Sequence, residues 1–110
     1  MLLAISVLSC SKDEDPASYP AISFAKSEGK AINGAYEITG TITSSVNLLK
    51  VILTKEGTSA PFLVDDTTAK NKNSYAFSYL VEGLTADTTI LIDVYDQNNT
   101  KTSARFLIRI

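Results

Sequence analysis

Tyr36-Glu37-Ile38-Thr39-Gly40-Thr41-Ile42-Thr43 alternates without a break: Tyr36, Ile38, Gly40 and Ile42 fall on one face of an extended chain, and Glu37, Thr39, Thr41 and Thr43 on the other. Successive side chains of a strand point to opposite faces, so a period of two marks a strand with one dry side and one wet side. Asn33 and Gly34 stand just before it, a pair that accepts the positive φ angles of a tight hairpin turn.

Outward from this strand the same period recurs. Toward the amino end, Ala21 to Phe24 reads as a short first strand entered through Pro20, a residue tolerated where a strand begins. Toward the carboxyl end, Leu48 to Thr54 sets Leu49, Val51 and Leu53 against Leu48, Lys50, Ile52 and Thr54, and Phe62 to Val64 follows Pro61 as a short edge segment. Thr67 to Ser74 is polar and aperiodic, a loop. Tyr75, Phe77, Tyr79 and Val81 then alternate with Ala76, Ser78 and Leu80, and Ile90, Ile92 and Val94 with Leu91, Asp93 and Tyr95. Asp96 to Asn99 supplies turn residues before a last strand over Ala104 to Arg109. No apolar recurrence of helical spacing is sustained over a dozen positions. Seven short strands in about 90 residues fit an all-β fold, an immunoglobulin-like two-sheet antiparallel sandwich over residues 19–110, with a small closed barrel as the competing geometry.

The segment Val81 to Ile90 resembles the link between the fifth and sixth strands of fibronectin type III domains, with Leu84 and Thr88 at the matching Leu and Thr. Ile90 stands where that family carries its corner tyrosine, and the chain has no Trp for the second strand's core position. The resemblance implies an immunoglobulin-like sandwich in the broad sense.

Composition narrows the function. The 110 residues are 45 % hydrophobic and 20 % charged, close to the globular average and enough for one core. Ten Lys and Arg against twelve Asp and Glu leave a net charge of −2, with no basic field to gather the phosphates of a nucleic acid. The chain has no His and a single Cys, which removes the commonest general base and metal ligand together with any intramolecular disulfide. No Gly-x-Ser-x-Gly signature occurs, so the chain reads as a non-enzyme with no cofactor.

Residues 1–9, Met-Leu-Leu-Ala-Ile-Ser-Val-Leu-Ser, are uncharged and mostly apolar but far short of the ~20 residues a membrane-crossing helix needs. They fit the end of a secretory signal cut before Cys10. Val7, Leu8, Ser9 and Cys10 resemble the lipobox of bacterial lipoproteins, which implies a diacylglycerol thioether on Cys10. No basic residue precedes Lys12, and a start upstream of Met1 would supply one. The alternative is a buried strand with a core cysteine. Residues 10–18 then form a solvated tether. Its Lys12, Asp13 and Glu14 resemble the export signal of surface-exposed lipoproteins of the Bacteroidetes, which implies an outer-membrane location, lipid-anchored and facing the cell exterior. Small lipidated sandwiches resemble accessory lipoproteins of surface glycan uptake and adhesion modules. The expected function is therefore presentation of the sandwich to a polysaccharide or partner protein, with a purely structural spacer as the alternative.

Candidate contact residues follow from phase. Tyr36, Tyr75, Phe77, Tyr79 and Phe106 lie on apolar faces and belong to the core, leaving Phe62 and Tyr95 as the exposed aromatics for a ligand. Asp65 and Asp66, adjacent in an extended segment, point to opposite faces and read as a solvated turn rather than a catalytic pair. Asp93 and Asp96, with Asn98 or Asn99, are oxygen donors that a calcium ion would accept, although turn geometry explains the same residues. Asn98-Asn99-Thr100 is a glycosylation sequon that a bacterial address makes accidental. Among edge segments, Ala21 to Phe24 and Phe62 to Val64 are the candidates for strand addition by another chain.

Overall fold

The turn at Asn33 and Gly34 forms as its residues dictate: Asn33 (φ 55°) and Gly34 (φ 76°) are both left-handed, and Ile32 and Ala35 exchange backbone hydrogen bonds across them as an isolated bridge. The computed structural model describes residues 19–110. The described residues form eight strands: β1 (Ala21–Phe24), β2 (Gly29–Lys30), β3 (Tyr36–Thr43), β4 (Leu48–Lys55), β5 (Leu63–Asp65), β6 (Ser74–Val81), β7 (Thr88–Asp96) and β8 (Lys101–Arg109). They form a three-stranded sheet in the order β1-β3-β6 and a five-stranded sheet in the order β2-β8-β7-β4-β5. The signal and tether readings on residues 1–9 and 10–18 lie outside the described residues.

Alternation places the core between the sheets. Ile38 and Ile42 of β3 and Phe77, Tyr79 and Val81 of β6 point inward from one sheet; Ile90, Ile92 and Val94 of β7 and Phe106 and Ile108 of β8 do so from the other, all buried. Each aliphatic side chain so buried is worth about 1.5–3 kcal/mol relative to exposure. Aromatic rings link the two sheets: Phe24 on β1 meets Phe77 edge-on at 6.2 Å and Phe106 at 5.0 Å, and Phe106 stacks on Tyr36 at 5.8 Å. Ile90, at the position of the missing corner tyrosine, is fully buried as a plain hydrophobe.

Three differences from the sequence reading have physical causes. β2 is an eighth strand, and its pairing with β8 is parallel, with Gly29 beside Ile108 and Lys30 beside Arg109. Gly29 is buried beneath Tyr36, and a Cβ there would stand 2.4 Å from the tyrosine Cζ. In β4 a register shift between Leu48 and Lys50 breaks the expected alternation and turns Leu48 into the core, fully buried, while Leu49 is only half-buried. Such a bulge inserts one residue and reverses the phase on one side of it. β5 occupies Leu63–Asp65 rather than Phe62 to Val64, one residue later than expected.

Candidate functional site

The outer face of the five-stranded sheet is not uniformly polar. Val64, Ile52, Asp93 and Ser103 lie in register across four strands, and Lys50, Tyr95 and Lys101 form the adjacent row. Val64 is 50 % exposed, and Ile52 and Tyr95 are half-buried. Tyr95, expected to be exposed, loses part of its surface because Lys50 Nζ lies 5.0 Å from its ring centroid. Phe62 is 40 % exposed just before β5, with Lys55 Nζ 5.7 Å from its centroid. Both are cation–π contacts. Lys50 and Lys55, five residues apart on β4, face opposite sides of the sheet: Lys50 shares the outer face with Ile52, whereas Lys55, paired with the buried Ile90, donates from Nζ to Glu82 C=O at 3.1 Å, so the two rings sit at opposite ends of a strip and do not form one platform. Ile52 and Val64 occupy its middle.

Asp93 and Asp96 do not converge on a cation. Three residues apart on β7, they face opposite sides of the sheet: Asp93 is on the outer face, where Ser103 Oγ donates to its Oδ1 at 2.6 Å, and Asp96 is fully buried. Asp96 Oδ1 accepts the N–H groups of Asn98 at 2.8 Å and Thr100 at 3.0 Å, closing the β7–β8 turn in which Asn99 takes φ 62°. This is the turn chemistry that competes with a calcium site. Asp96 Oδ2 is buried and has no hydrogen-bond partner among the described residues. Among those residues no three of His, Cys, Asp and Glu come together as a metal would need.

Asp65 is the residue sequence reasoning misplaced. It is 7 % exposed, not a solvated turn. Its Oδ1 accepts the backbone N–H groups of Thr67 and Thr68, and its Oδ2 the hydroxyls of Thr68, Tyr75 and Tyr79. Burial pushes the carboxyl up, yet these bonds outweigh it and hold the pKa at about 2. Tyr79 titrates well above its ordinary value, first through burial and then through the neighbouring carboxylate. Two tyrosines four residues apart on one core-facing side were the available signal, since a buried phenol requires a polar partner. The cluster ties a loop to two strands. Cys10, Lys12, Asp13 and Glu14 lie outside the described residues.

No protein-family model matches the chain, and no curated protein matches it. Solved structures do. The fold is similar to the fibronectin(III)-like modules of Clostridium thermocellum CbhA, with a TM-score of 0.57 and 14 % identity over 96 % of this chain and 50 % of that one. This chain thus spans half the length of that relative. It is also similar to a superoxide reductase (neelaredoxin) from Ignicoccus hospitalis, with a TM-score of 0.50 and 13 % identity over 83 % of this chain and 78 % of that one. At such identities the likeness is one of fold: a fibronectin(III)-like β-sandwich.

Proposed function

We infer that the chain is a non-catalytic binding module carried at the outer membrane on a lipid at Cys10 and facing the cell exterior through the Lys12-Asp13-Glu14 signal. The strip from Tyr95 through Ile52 and Val64 to Phe62 is its contact surface, for a polysaccharide or a partner protein. The observation that carries this reading is that strip, apolar in its middle, with Lys50 and Lys101 beside Tyr95 at one end. Lysine ammonium groups lie over both rings, where a sugar would stack, which favours a protein partner bearing carboxylates. The likeness to fibronectin(III)-like modules supports the non-catalytic side of the reading.

The test has two readouts on intact cells. Palmitate labelling that depends on Cys10, and protease shaving that is lost when Lys12, Asp13 and Glu14 are replaced by Ala, support the address; labelling unchanged in Cys10→Ala sinks it. Chemical cross-linking to a surface protein that disappears in Val64→Glu and Tyr95→Ala supports the contact strip. Cross-linking that both variants retain, or glycan-array binding in its place, moves the surface elsewhere or the ligand to a sugar.

A further inference from the structure

Among the described residues four strands lie at sheet edges, and three of them are guarded. β2 has two residues and carries Lys30. β5 has three, follows Pro61 closely and ends on Asp65. β1 has four, and the residue before it is pinned to the opposite sheet, where Thr102 Oγ1 donates to Pro20 C=O at 2.6 Å. Short length, charge and a covering chain are the usual defences of an edge. β6 has none of them. Its eight residues, Ser-Tyr-Ala-Phe-Ser-Tyr-Leu-Val, include no charge, no proline and no glycine.

The ladder fixes which backbone groups face outward. Ser44 N–H donates to Asn73 C=O at 2.9 Å, in line with the β3–β6 register, so Tyr75, Phe77, Tyr79 and Val81 exchange bonds with β3. Ser74, Ala76, Ser78 and Leu80 therefore turn their N–H and C=O groups away from the sheet. Among the described residues none of these groups has a backbone partner. Their side chains are exposed, and Leu80 is 51 % so.

We propose that this edge pairs with the β6 of a second copy of the chain, antiparallel and about a twofold axis at Phe77. The register is self-complementary. Ala76 meets Ser78 of the second copy and Ser74 meets Leu80, each pair exchanging two backbone hydrogen bonds, and two three-stranded sheets become one of six. Small side chains at Ser74, Ala76 and Ser78 let the two strands approach, and the absence of charge on β6 removes the like-charge repulsion that otherwise separates identical edges in a chain of net charge −2. The proposal stands apart from the lipid anchor and the contact strip, which lies on the other sheet.

The experiment uses the full 110-residue chain, unacylated and under reducing conditions so that Cys10 cannot cross-link it. Sedimentation velocity should show a mass rising with concentration from 11.8 kDa toward twice that value. Over the same range, amide exchange at Ala76, Ser78 and Leu80 should slow about tenfold once nine chains in ten are paired. A chain carrying A76K and S78K and a chain carrying A76E and S78E should each remain monomeric and form a heterodimer when mixed. A native chain monomeric throughout, with these amides exchanging fast, overturns the proposal. So does protection of the same amides in the monomer, which would mean that another part of this chain occupies the edge. Undiminished self-association of the lysine chain would place the dimer on a different surface and overturn it equally.

Discussion

Tyr79 on β6 donates its phenol hydrogen to Asp65 Oδ2 on β5 at 2.7 Å, a bond that runs from the three-stranded sheet to the five-stranded one. The hydroxyls of Thr68 and Tyr75 meet the same carboxylate oxygen, and the loop that follows Asp65 begins on that carboxylate. One side chain thus fixes both the spacing of the sheets and the path between them.

Removing either partner should therefore be costly by different amounts. Tyr79→Phe leaves Asp65 its other donors and should lose about 1–2 kcal/mol of stability. Asp65→Ala strips the buried Tyr79 phenol, the half-buried Tyr75 phenol and the backbone amides of Thr67 and Thr68 of their acceptor and should lose about 3 kcal/mol. Urea unfolding of both singles and the double variant would give a coupling energy of order 1 kcal/mol; strict additivity would deny the bond.

The same carboxylate sets an acid limit. Its folded pKa, about 2, lies below the ordinary 3.8, so its stabilisation is complete above about pH 4 and is lost as pH falls toward 2. The loss should be about 1–2 kcal/mol and absent in Asp65→Asn, as thermal melts across that range would report. Tyr79 acts in the opposite sense. Its folded pKa is raised, so its contribution is intact below the ordinary value of 10.0 and declines at more alkaline pH.

Gly29→Ala should destabilise by about 1–3 kcal/mol, because the new methyl must displace the Tyr36 ring that stacks on Phe106. Repeating the substitution in Tyr36→Leu should reduce the penalty. An equal cost in both backgrounds would assign it to the backbone of β2 instead of the ring.

Asp96→Ala opens the β7–β8 turn and should lose about 1–2 kcal/mol through the two amides it caps. Asp96→Asn keeps an acceptor at Oδ1 and removes charge from a buried site whose second oxygen has no partner, so its stability should stay within about 1 kcal/mol of native. A large loss in Asp96→Asn, read by the same urea titration, would mean that the charge itself is required.

The β-class, the Asn33-Gly34 turn and the inward faces of β3, β6, β7 and β8 were legible in the chain because each strand has one polar side, and period two then reports burial directly. β2 was not legible. Two residues carry no period, and the partner that defines them, β8, lies about 80 positions downstream. Leu48 was misphased because a bulge leaves no local signature in an apolar run. Asp65 looked like a turn residue because its acceptor role depends on Tyr75 and Tyr79, 10 and 14 positions away on another sheet. Phe62 and Tyr95 were found as aromatics outside the core, but their separation along β4 and their lysine neighbours are properties of register, which alternation alone does not fix. For the same reason the edges at β1 and β5 were anticipated and the longer one at β6 was not.

The parallel pairing of β2 with β8 also gives the domain a direction in which it resists being pulled. Once β1 has been drawn off β3, a load between the amino-terminal side of β2 and Ile110 pulls β2 and β8 past one another along their length, so that the backbone bonds near Gly29, Lys30 and Ala31 carry tension together. Peeling, in which bonds break one at a time, is the geometry of the antiparallel hairpins elsewhere in the fold. The sandwich is thus braced along the line joining its two ends, the axis that would be loaded in any module hung from a fixed point at one end and gripped at the other.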